Sequence, residues 1–224
     1  MEPKSVNRDT GAPEATPRWA ALLLLAAAFG VIEALLVVEL RTLLDPDGSS
    51  FPLVSFPETL LHVERTREAA TLILLAASAA LAASGWVPRF AAFLFLFGAW
   101  DLVYYVTLRT VMGWPHDPGQ WDLLFLLPVA WLGPVYAPVA ISVVMLGVGF
   151  VTLRTGGHFP VRARHVAAAI FGGALCIWSF TCDADARALV AIPDRYRWEL
   201  LIAGILLAAA GYVDAWRHAR SSPG

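Results

Sequence analysis

Long apolar runs separated by short polar turns recur along the chain, and most approach the length needed to cross a bilayer. At about 1.5 Å of helical rise per residue, a hydrocarbon layer of about 30 Å requires roughly 20 residues. The pattern predicts spans over Trp19–Leu40, Ala69–Ala83, Phe90–Val106, Leu123–Leu153, Val166–Phe180 and Leu200–Val213. A start as early as Leu60 also fits the second. The expected fold is all-α, a polytopic helical bundle with six transmembrane helices, because lipid-facing backbone must satisfy its own hydrogen bonds.

The fourth run departs from this regularity. It holds 31 residues, and Pro128, Pro134 and Pro138 each remove a backbone donor within or near it. It is therefore expected as a long, proline-broken stretch, with Leu123–Tyr136 broken or partly re-entrant. A separate crossing there would raise the count to seven and place the termini on opposite sides.

Residues 1–17, with three prolines, read as a disordered cytoplasmic tail, residues 18–220 as one transmembrane domain, and 221–224 as a disordered end. Glu33 interrupts the first run and no small-residue cleavage site follows before Arg41, so this run reads as a retained helix rather than a signal peptide. Six crossings put Lys4, Arg8, Arg18, Arg89, Arg154, Arg162, Arg164, Arg217 and Arg220 on one side, nine basic residues against seven opposite. The positive-inside rule then gives cytoplasmic N- and C-termini in a plasma or inner membrane. Trp86, Trp114, Trp121, Trp198 and Trp216 fall near span ends, as interfacial anchors do.

Composition strengthens the membrane reading: 58% of the 224 residues are hydrophobic, and the mean hydropathy is +0.63. The formal net charge is only −2, and the basic residues are dispersed, so no nucleic-acid partner is indicated. Membrane lipids are expected partners, with Arg154, Arg162 and Arg164 near anionic headgroups. A membrane protein partner or homo-oligomer is permitted. No phosphate-binding glycine loop, dinucleotide fingerprint or serine-hydrolase elbow occurs in a suitable strand–helix context.

What changes the picture is the distribution of acids. Carboxylates in hydrocarbon are costly unless paired, protonated, ligated or hydrated, which directs attention to Glu33 and Asp101. On the six-span topology these lie toward one end of the bundle, the extracytoplasmic one. Glu64 and Glu68, four residues apart, share a helical face there. Tyr105 lies one turn beyond Asp101, while Asp122 starts the next apolar run, where helix capping competes with a functional role.

Glu33, Glu68, Asp101 and Tyr105 are thus the expected catalytic groups. Glu33, His62, Glu68, Asp101 and Asp122 form a candidate set for a divalent metal such as Mn, Fe or Zn. No His-Glu-x-x-His or paired Glu-x-x-His motif supports it. His62 and His116 also fit aqueous loops, and neither sits deep enough in a span to favour haem. Arg41, Arg65, Arg67 and Arg109 supply the competing reading, a structural ion-pair network.

The residues thus lead to a membrane-embedded enzyme or metal-binding accessory protein, against a small-solute or ion transporter or a structural subunit. Elsewhere, Ala168/Gly172, Ala169/Gly173 and Gly204/Ala208 are small pairs at helical spacing, expected to pack helices within the chain. Cys176 and Cys182, six residues apart, point in different directions on a helix and are expected to pack as small hydrophobes.

Overall fold

A computed structural model describes residues 18–44, 57–156, 160–183 and 193–221. The tail at 1–17 and residues 222–224 lie outside the described residues. Six helices run in the order α1 (Arg18–Leu44), α2 (Glu58–Ala82), α3 (Trp86–Met112), α4 (Tyr136–Arg154), α5 (Ala163–Thr181) and α6 (Trp198–Ser221). Ser221 is the last described residue of α6.

Five of these helices, all but α2, are long and apolar enough to cross a membrane. At 25 residues α2 has the length. Its first half, however, carries Glu58, His62, Glu64, Arg65, Arg67 and Glu68, and only the part from Ala69 onward is free of charged residues. Pro57 precedes α2 with φ −54°, which suits a helix start. Gly113 ends α3 with φ +71°, its N–H donating to the Arg109 carbonyl, a left-handed cap that favours glycine.

The all-α expectation needs correction between α3 and α4. Strands β1 (Trp121–Phe125) and β2 (Trp131–Pro134) pair antiparallel, with Asp122 opposite Gly133 and Leu123 opposite Leu132. The run from Leu123 to Leu153 is therefore a hairpin followed by a 19-residue helix that begins at Tyr136. Its prolines explain the change. Pro128 lies in the turn, Pro134 ends a strand, and Pro138 falls in the first turn of α4, where a missing N–H leaves no helical bond unmade.

α3 is the central helix, packing against α1, α2 and α4, while α5 and α6 pair with each other. One apolar cluster joins Leu22 and Ala26 to Leu75, Phe95 and Leu96, and a second joins Ala34 to Tyr105 and Leu108. The α5–α6 pair meets the remainder through β2 and a third cluster around Phe180, Tyr196 and Leu201. Gly172 lies against the Gly204 carbonyl and Ala208, so those small residues pack within the chain. Among the described residues nothing lies within 4 Å of a Cβ position on Gly173, so Gly173 itself makes no such close approach.

Candidate functional site

Glu33 lies on α1, and Asp101 lies on α3 eleven residues before its end at Met112, about 16 Å of helical rise. Two glycines bring the surrounding backbones together. A Cβ on Gly30 would sit 2.5 Å from the Trp100 carbonyl oxygen, and one on Gly98 would sit 2.5 Å from the Ser142 carbonyl oxygen. Each glycine precedes its acid by three residues. Close approach of α1 and α4 to α3 thereby places Glu33 and Asp101 beside neighbours that can hold them.

The two acids line one partly open cavity of about 90 Å³. Its wall draws Glu33 and Arg41 from α1, Glu64, Arg67 and Glu68 from α2, and Trp100, Asp101, Tyr104 and Tyr105 from α3. Asp122 and its neighbours in β1 complete it. Glu33 and Asp101 are only 5% and 7% exposed. The space can hold several waters or a small polar group, since one water occupies about 30 Å³ in the liquid.

Each acid has a distinct partner. The Arg67 guanidinium pairs with Glu33 and with Glu64, and Thr71 donates to Glu33 Oε2 over 3.4 Å. Ser142 donates to Asp101 Oδ2 at 2.8 Å, linking α4 to α3. Tyr105 donates to Asp122 Oδ2 at 2.9 Å, while Arg41 stands 3.7 Å from the other carboxylate oxygen and over the Trp114 ring. The Leu126 N–H donates to both Glu68 oxygens, at 3.1 and 2.9 Å, tying the hairpin to α2.

The structure thus brings together Glu33, Glu68, Asp101, Tyr105 and Asp122 from the expected set. It leaves His62 outside: this side chain is exposed and borders a shallow depression with Glu58, Thr59, Val63 and Thr66. His116 is exposed in the loop after α3. Among the described residues, no three His, Cys, Asp or Glu side chains form a group that could hold a metal ion. Sequence reasoning did not find Trp100, Thr71, Ser142 or the Leu126 N–H. A lone serine in the apolar run of α4 was the faint available signal for Ser142.

Outside the membrane-length segments, Asp183 illustrates a simpler pair. Arg197 donates to both of its oxygens, at 2.7 and 3.1 Å, and this hydrogen bonding holds the Asp183 carboxyl below its ordinary range. No protein family, curated protein or solved structure matches the chain. The chemistry of the chamber therefore carries the functional reading alone.

Proposed function

We propose that this chain is a membrane-embedded enzyme performing acid–base chemistry in the chamber between α1, α2, α3 and β1. The supporting observation is that five carboxyl side chains from four elements face one cavity in an apolar bundle. Acid and base roles call for carboxyl groups in unlike surroundings. Glu33 has a guanidinium partner and Asp101 a hydroxyl partner, which meets that requirement. Tyr105 orients Asp122, and Glu68 couples the site to the hairpin.

In the orientation favoured by the basic residues, the chamber faces the extracytoplasmic side of a plasma or inner membrane, with both termini cytoplasmic. The metal-accessory alternative loses the His62 nitrogen, and its remaining acids Glu33, Glu68, Asp101 and Asp122 line the cavity without grouping, among the described residues, as a set of three that could hold an ion.

The test incubates purified protein with membrane lipid extract and a panel of small polar metabolites, following turnover by mass spectrometry. General acid–base groups typically contribute about 10²- to 10⁴-fold, so Glu33→Gln or Asp101→Asn should lower turnover by that order. Undiminished turnover in both variants would refute the assignment. Stoichiometric metal in the wild type that is lost in Glu33→Gln would favour the metal-accessory reading instead.

A further inference from the structure

The charges and donors of this chamber specify its ligand more narrowly than the reaction class does. Among the described residues, five carboxyl groups face two guanidiniums. Arg67 is shared by Glu33 and Glu64, and Arg41 stands beside Asp122. Asp101 and Glu68 take their hydrogen bonds from neutral donors, the Ser142 hydroxyl and the Leu126 amide. Arg65 donates to the Leu126 carbonyl and does not line the cavity. The wall therefore offers acceptor oxygens in excess of its own cations.

A second, independent feature points to a ligand. Trp100 is 5% exposed and lines the cavity, yet its indole N–H meets no hydrogen-bond acceptor among the described residues. Buried donors are nearly always satisfied, so an oxygen on a bound molecule is the natural complement.

Resting on the reading of this chamber as the functional site, we infer that it binds a primary ammonium group carried close to an oxygen acceptor. A primary ammonium has three N–H donors for the carboxyl oxygens, and the neighbouring oxygen accepts from Trp100. Such chemistry belongs to a free amino alcohol and to a lipid headgroup that contains one. Val37, Leu40 and Leu44 line the α1 side of the same space, giving an apolar surface next to the polar groups.

The test measures binding to the full-length protein by calorimetry. Its probes are free ethanolamine, free choline, and phosphatidylethanolamine or phosphatidylcholine presented in mixed micelles. The ethanolamine form should bind at least tenfold more tightly than the corresponding choline form, whose quaternary nitrogen has no N–H. Binding confined to the lipid identifies a headgroup, and binding of free ethanolamine identifies a soluble amine; either supports the inference.

Trp100→Phe keeps an aromatic ring without the N–H and should weaken binding several-fold, as should Asp101→Asn. Equal affinity for choline and ethanolamine probes, no binding by either ethanolamine probe, or unchanged affinity in a folded Trp100→Phe protein would overturn the inference. An amine that binds but is recovered unaltered, with no turnover across the metabolite panel, would count against the enzyme reading alone. Turnover of a substrate lacking an amine, without ethanolamine binding, would count against the ligand alone.

Discussion

Replacing Glu68 tests how α2 holds the hairpin that forms one wall of the chamber. Both carboxylate oxygens accept the Leu126 N–H, and Glu68 and Leu126 are only 6% and 3% exposed. Glu68→Ala leaves that amide without its acceptor, at a cost of about 1–3 kcal/mol. Removing the charge also relieves repulsion from Glu64 one turn away, an effect of opposite sign. Glu68→Gln removes the same charge but keeps an acceptor oxygen, so comparing the two variants separates hydrogen bonding from charge. Hydrogen exchange at the Leu126 amide is the direct assay. Exchange should be roughly 5- to 150-fold faster in Glu68→Ala than in Glu68→Gln, the factor equivalent to that energy range. Equal rates in the two variants would refute the claim that this carboxylate anchors the hairpin.

Gly98→Leu should destabilise the α3–α4 contact by at least about 1–3 kcal/mol, because its Cβ would meet the Ser142 carbonyl and Leu146 amide; thermal unfolding in detergent measures this. Arg67→Ala should cost about 3–5 kcal/mol by stranding buried Glu33, and adding Glu33→Gln should recover part of the loss in a double-mutant cycle on unfolding stability. Stability should also fall at acid pH through the Asp183–Arg197 pair. The folded Asp183 carboxyl titrates below its ordinary value of 3.8, so its contribution is present above that pH and disappears as pH drops through the folded value. Thermal midpoints of wild type and Asp183→Asn should therefore converge in strong acid.

Much of the site was legible because charge at depth is conspicuous in an apolar chain. Glu33 and Asp101 each interrupt a long hydrophobic run, and the spacing of Glu64 and Glu68 places both on one helical face. The same spacing argues against His62, since residues two apart on a helix do not face the same way, and the structure puts His62 outside the cavity. The hairpin was harder to read. A run such as Trp121–Phe125 followed by more apolar residues carries no period that separates a buried strand from a helix, although the prolines marked the interruption. Trp100 and Ser142 gave little warning because their facing depends on the tertiary packing of α3 against α1 at Gly30 and against α4 at Gly98, whereas Thr71, three residues after Glu68, was readable on the same face of α2 and was passed over.

The position of Asp101 along α3 has an electrical consequence. Fifteen residues of helix separate it from the start of α3 at Trp86, about 22 Å of rise. In an energised bilayer, water admitted at the chamber end would concentrate the transmembrane voltage across that remaining stretch. A cation arriving from the chamber end would then cross little of the potential. One arriving from the other side would cross most of it, against or along a gradient of about 2.3 kcal/mol per 100 mV. Occupancy of the chamber would thus respond to membrane voltage differently according to the side from which its ligand comes.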